Sequence, residues 1–253
     1  VRASGGRIPD GSVDPAALIT LHDGVRPLVH AGRRRQHARM IAARSSHLVD
    51  AAATLGGDAI HVWQLDFRPT QGRQPLLRTL AAYLGIDAGD VTLVDGAHGR
   101  PRLDHRHGST LDFNWSHSGN HALIAVARGI APGIDVERRR PRPHALPLAR
   151  RFFGSDEADA IAALPEETRA AAFLEVWTAK EALLKAHGRG LGYGLQRLRV
   201  LSTEAELRLL RFDGEDIDVW QLQRLVISVD LIAALAWRGS PRTIQLQMLA
   251  STD

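Results

Sequence analysis

The stretch Trp177-Thr178-Ala179-Lys180-Glu181-Ala182-Leu183-Leu184-Lys185 holds the only two lysines of a chain with 32 lysines and arginines. Arginine serves at every other basic position, so these two places ask for a compact ammonium with rotatable donors, as phosphate contacts often do. Glu181 and Lys185 are four apart and share one helix face. Working outward, Phe173, Val176, Trp177, Lys180 and Leu184 recur at helical spacing. That predicts a helix from about Glu167 to His187, ended by Gly188. Trp177 reads as core or, alternatively, as a substrate contact, and the Lys180 stem is expected to pack along the apolar face while its ammonium meets a carboxylate.

Upstream, Gly133-Ile134-Asp135-Val136-Glu137 alternates carboxylates with β-branched apolar residues, the pattern of a strand with both acids on one face and Ile134 and Val136 in the core. Cα atoms two apart on a strand lie about 6.6 Å from each other, so the longer Glu137 side chain can lean toward Asp135 and share a divalent cation. The other reading is a pair of solvated acids balancing Arg138 to Arg140. Ser116-His117-Ser118 is expected in a turn whose free N–H groups meet a phosphate, with His117 adding a donor. By itself, His117 also suits a loop or capping role.

Alternation over Ile60 to Leu65 predicts a first strand, followed by a helix from Pro75 to Leu84. His121 to Arg128 reads as an apolar strand, with Gly133 to Glu137 expected as its antiparallel neighbour across the Gly129 to Pro132 turn. Ser155-Asp156-Glu157 looks like a helix start capped by the serine hydroxyl. Strands are expected near Leu198 to Leu201, Asp218 to Leu222, Val226 to Ala236 and Ile244 to Leu249. Residues 1–57 read as a weakly ordered basic extension with a possible helix from Gln36 to Leu55. It is either an arm for an anionic partner or an upstream segment that contributes little. The strand, helix, strand-pair order recurs on either side of residue 130, giving an N-terminal half over 58–130 and a C-terminal half over 131–253.

A chain of 253 residues with 44% hydrophobic content can bury a core. Its most apolar stretch, Leu225 to Trp237, is interrupted by Asp230 and falls short of the roughly 18 residues that span a membrane. With no cysteine there is no disulfide, thiolate metal site or cysteine nucleophile, which fits a reducing cytoplasm. A net charge of +4 and a pI near 10.2 favour an anionic partner.

Taken together, Gly99-Arg100-Pro101-Arg102-Leu103, Phe113-Asn114-Trp115-Ser116-His117-Ser118, Gly133 to Glu137, and Phe173 to Lys185 with Gly188-Arg189-Gly190-Leu191 carry a resemblance. In order, spacing and residue type the chain resembles the 4′-phosphopantetheinyl transferases of the Sfp type, from about Ile60 to Leu249. The resemblance implies an α+β fold of two similar halves related by a pseudo-twofold axis. It implies transfer of phosphopantetheine from coenzyme A to a serine of an apo acyl or peptidyl carrier protein. Carried over, Asp135, Glu137 and Glu181 would hold Mg2+ on the coenzyme's pyrophosphate. Lys185 would stabilise the leaving group, Arg100, Ser116 and His117 would bind phosphates, and Glu181 or a water on the metal would be the base. The chain departs from the family between Asp66 and Pro75, where a basic helix is missing; Arg73 is expected to keep one of its contacts. A cytoplasmic monomer engaging neither membrane nor nucleic acid is expected.

Two other classes stay open. One is a non-catalytic carrier-protein binder with an impaired coenzyme site, suggested by the short Asp66 to Pro75 segment. The other is a basic nucleic-acid module or magnesium nuclease, suggested by the pI and the acid cluster.

Overall fold

The computed structural model describes residues 40–43, 48–96 and 98–249. In chain order the first half holds β1 (Met40–Ala43), α1 (Leu48–Ala53), β2 (Ala59–Asp66), α2 (Gln74–Leu84), β3 (Leu93–Asp95), β4 (Pro101–Leu103), β5 (Leu111–Ser118) and β6 (His121–Arg128). The second holds β7 (Gly133–Arg138), α3 (Ala145–Phe152), α4 (Ser155–Ala163), α5 (Glu166–His187), β8 (Leu198–Ser202), β9 (Leu207–Phe212), β10 (Trp220–Leu225), β11 (Leu231–Arg238) and β12 (Thr243–Met248).

The two halves repeat one topology. β2, β6 and β5 lie side by side in that order, all antiparallel, and β7, β11 and β10 do the same. In each half the first strand is followed by helical structure, then by a separate antiparallel pair (β3 with β4, β8 with β9), and then by two strands of the main sheet, the last inserted in the middle. This is the repetition that a pseudo-twofold arrangement of α+β halves requires.

Side-chain alternation then sets the layers. Ile60 and Val62 of β2 and Leu123, Ala125 and Ala127 of β6 meet Ile134, Val136, Ala233, Leu235 and Trp237 of the second sheet in one apolar core. The opposite faces are covered by helices. Trp63, Phe113, Ile124 and Val126 pack with Leu76 and Leu80 of α2. Ile232, Ala234 and Ala236 pack with Phe173, Val176, Ala179 and Leu183 of α5. β12 leaves the second half to run parallel to β2, and β1 adds parallel to β12. The chain's end thereby ties the halves together.

Four expectations need correction. β7 is not the neighbour of β6, because β2 and β5 already occupy both edges of that strand; β7 pairs with β11 instead. The helix expected from Gln36 to Leu55 is interrupted: Met40–Ala43 is a strand and α1 covers only Leu48–Ala53, the rest before Leu48 lying outside the described residues. Ala51, Ala52 and Leu55 are buried in the first-half core, so this part of the expected extension belongs to that half. At α4 the cap is Gly154, whose N–H donates to the Glu157 carboxylate at 3.1 Å. The acid reaches back and no serine hydroxyl is needed. Among the described residues no helix is long and apolar enough to cross a membrane.

Candidate active site

β5 and β7 meet at the boundary between the halves, and the alternation of β5 divides its side chains. Phe113 and Trp115 turn to the first-half core. Asn114, Ser116 and Ser118 turn to β7. Asn114 Oδ1 accepts the Ile134 N–H at 2.9 Å, and Ser116 Oγ donates to Asp135 Oδ1 at 2.7 Å. Ser118 Oγ donates to Glu137 Oε2 at 2.8 Å and accepts the Arg138 N–H at 3.1 Å.

The expected turn at Ser116-His117-Ser118 is therefore the end of a strand, paired with Leu123, Ala122 and His121. The chain reverses just beyond it, at Gly119, whose φ of 59° suits glycine. These residues act through side chains and not through a nest of free amides. His117 faces away from Asp135, exposed, its ring 4.6 Å from that of Phe67 and 5.4 Å from that of Trp115.

The second half supplies the helix. Gly133 lets β7 and α5 touch backbone to backbone, since a Cβ there would lie 2.1 Å from the Ala182 carbonyl oxygen and 2.3 Å from the Ala186 nitrogen. One turn around the same helix, Lys185 Nζ donates to Asp135 Oδ1 at 2.7 Å and to the Ile134 carbonyl at 3.1 Å. Glu137 is also claimed by Arg142, at 3.1 Å. His117 thus comes from the first half and Asp135, Glu137, Glu181 and Lys185 from the second.

Glu181 reports on the charge balance. Its carboxyl is pushed up to about 7, first by burial and then by Asp135 and Glu137, with Lys185 opposing. Oδ2 of Asp135 is buried without a hydrogen-bond partner. Three carboxylates within mutual electrostatic reach, one with an unsatisfied oxygen, form a hard-oxygen set that suits a magnesium ion. Among the described residues no three acidic or imidazole side chains are drawn into a ready-made cage. Instead the Lys185 ammonium stands on Asp135.

The raised Glu181 value has a measurable sign. Glu181 holds its proton in the folded state up to about pH 7 but releases it near 4.5 when unfolded. Between those values the folded state binds more protons, so Glu181 makes the cation-free chain less stable as pH rises from about 4.5 to about 7, with no further loss above. Melting curves across this window should show a decline in the wild type that Glu181→Gln flattens. Superimposable profiles would contradict the placement.

The remaining expected residues make no contact with the Asp135, Glu137 and Lys185 cluster that the hydrogen bonds and ion pairs record. Arg100 is buried, its Nη2 shared among Asp112 (2.9 Å) and the carbonyls of Phe113 (2.9 Å) and Pro132 (3.0 Å), while its Nε and Nη1 are buried without partners. Arg73 is exposed at the residue that precedes α2. Lys180 is fully buried against the Glu157 carboxylate and the Leu195 carbonyl, its Nζ 4.6 Å from the Phe153 ring centre, and Trp177 packs with Phe152, Phe153 and Phe173. Both match their expected structural roles.

Sequence reasoning missed Asn114, Ser118, Gly133 and Arg142 as parts of this site. A signal for the first two was present: polar residues at 114, 116 and 118 alternate with Phe113, Trp115 and His117.

Residues 131–236 match the model of the 4′-phosphopantetheinyl transferase superfamily. Over 201 residues the chain is 36% identical to 4′-phosphopantetheinyl transferase HetI of Nostoc sp., covering 77% of this chain and 83% of that protein. A Bacillus subtilis 4′-phosphopantetheinyl transferase is 30% identical, with 68% of this chain and 69% of that protein covered. The human L-aminoadipate-semialdehyde dehydrogenase-phosphopantetheinyl transferase is 28% identical; there the match covers 66% of this chain and 60% of the human protein.

Proposed function

The chain belongs to the 4′-phosphopantetheinyl transferase superfamily, and from that premise we propose that it moves the 4′-phosphopantetheine group of coenzyme A to a serine of an apo acyl or peptidyl carrier protein, releasing adenosine 3′,5′-bisphosphate. The observation that carries the site assignment is the meeting of Asp135, Glu137, Glu181 and Lys185 beside the seam between the halves. A magnesium ion held by Asp135, Glu137 and Glu181 would offset the charge of the coenzyme's pyrophosphate.

The chain's own residues account for the rest. The carrier's serine oxygen attacks the phosphorus that bears pantetheine, and the bond from that phosphorus to the bisphosphate oxygen breaks. Glu181, beside Asp135 and Lys185 in this cluster, is the residue of the chain assigned to take the serine proton. Lys185 Nζ, one hydrogen bond from Asp135, supplies a mobile positive charge for the departing oxygen. His117 and Arg73 are exposed on the first-half side and are assigned to the coenzyme's phosphates; Arg100, buried beside β5, and Ser116, bound to Asp135, are assigned to that site as the groups that hold its wall.

The carrier's docking face follows from charge. From Arg138 to Gly154 there are six arginines and no acid, in the segment that leads directly out of β7. An acidic carrier surface complements it. We read the protein as a cytoplasmic monomer, since one chain already contains both halves and carries no cysteine.

Calorimetry tests this reading. Coenzyme A with Mg2+ should bind the wild type, and Asp135→Asn should weaken that binding at least tenfold, the usual cost of losing a site group that orders a metal. Carrier binding with no coenzyme A heat would instead favour the non-catalytic binder.

A further inference from the structure

The Ser116-His117-Ser118 segment is a place where one strand serves two surfaces, because successive side chains point to opposite faces. His117 goes outward to Phe67 and Trp115. The serines go inward, and each meets a different carboxylate: Ser116 takes Asp135 and Ser118 takes Glu137. The match is one of period, two residues on β5 against two residues on β7. Ser118 also accepts the Arg138 N–H, and Asn114 accepts that of Ile134, so the backbone on both sides of the two acids is held as well.

β5 belongs to the sheet of the first half and β7 to that of the second. No backbone ladder joins these two strands, and side chains bridge them across the boundary. Without Ser118, Glu137 would keep its link to Arg142, which pulls from the loop beyond β7. We infer that Ser118, with Ser116 and Asn114, is a positioning residue: the hydroxyl aligns Glu137 with Asp135 across the boundary between the halves, so that the cation site is completed by the first half without a ligand from it. This inference rests on the assignment of Asp135 and Glu137 to the cation.

Mn2+ binding to the full chain with coenzyme A, followed by electron paramagnetic resonance, reads the alignment without turnover. Ser118→Ala should weaken Mn2+ binding about tenfold, as expected when a group orienting a metal carboxylate is lost. Its melting temperature should stay near that of the wild type, because Ser118 is partly exposed. Ser118→Thr, which keeps the hydroxyl on a strand-compatible side chain, should restore the affinity. Glu137→Gln separates this inference from the one beneath it. If Glu137→Gln weakens Mn2+ while Ser118→Ala binds as the wild type does, or if threonine fails to restore a loss, the positioning role is overturned. If Glu137→Gln itself leaves Mn2+ affinity unchanged, the cation assignment falls and takes this inference with it.

Discussion

Gly133→Val is expected to cost the protein both its stability and its transfer rate. A Cβ at 133 would sit 2.1 Å from the Ala182 carbonyl oxygen and 2.3 Å from the Ala186 nitrogen, and both atoms belong to the backbone of α5. Backbone inside a long helix does not swing aside as a side-chain tip does, so the whole helix must back away from β7. Overpacking of this kind costs about 1–3 kcal/mol or more, and valine adds two further methyl groups to the clash. The functional loss should exceed what the melting temperature suggests. Glu181 lies next to Ala182, and Lys185 lies next to Ala186, so the displaced segment is the one that faces Asp135. A shift near 1 Å in groups that must converge on one phosphorus costs about a hundredfold in rate. Gly133→Ala should show the same pattern at smaller amplitude. A valine variant with wild-type melting and turnover would show that β7 and α5 do not touch as described.

Glu157→Ala is expected to destabilise the fold by about 3–5 kcal/mol, the usual cost of leaving a buried charge unpaired. Lys180 has no exposed side-chain surface, and burial pulls its ammonium below the ordinary lysine range while Glu157 opposes that shift. Glu157 does more than neutralise. Its carboxylate accepts the Val200 N–H at 2.9 Å and the Gly154 N–H at 3.1 Å, and Lys180 also donates to the Leu195 carbonyl at 3.1 Å. One ion pair thus joins α4, α5, β8 and the turn before β8. The double variant Glu157→Leu, Lys180→Met removes both charges and should recover part of the loss, because an apolar pair fills the space without desolvating an ion. Urea unfolding of Glu157→Ala and of the double variant checks this. A Glu157→Ala variant as stable as the wild type would mean the pair is not buried.

The parts that could be read from the sequence are those whose information is local. α5 was legible because its apolar face repeats every three to four residues, and β7 because its acids alternate with Ile134 and Val136. The face shared by Glu181 and Lys185 follows from the same helical period. Pairing partners were not legible. That β7 belongs beside β11, and that β12 crosses back to run parallel with β2, depends on which strand edges are free once the sheets form. Nothing within a strand encodes that.

Within the site, residue types were easier to read than directions. Ser116-His117-Ser118 looked like a turn because serine and histidine are common in loops, yet its pairing with β6 makes it a strand. Ser118 was missed because a hydroxyl's partner lies on another half of the molecule. The reason for Gly133 is steric and lies almost fifty residues away, at Ala182, where no local pattern shows it. Lys180 and Lys185 share one segment and do different things. One is sealed in the core with Glu157, and the other stands at the seam on Asp135.

The most direct test of the account is the intact mass of an apo carrier protein after incubation with the full chain, coenzyme A and Mg2+. The carrier should gain one phosphopantetheine, on its serine, with the wild type, and the gain should vanish with Glu181→Ala and with Asp135→Ala. A panel of acyl and peptidyl carriers left at their apo masses by the wild type, or modified equally well by the two variants, would contradict it.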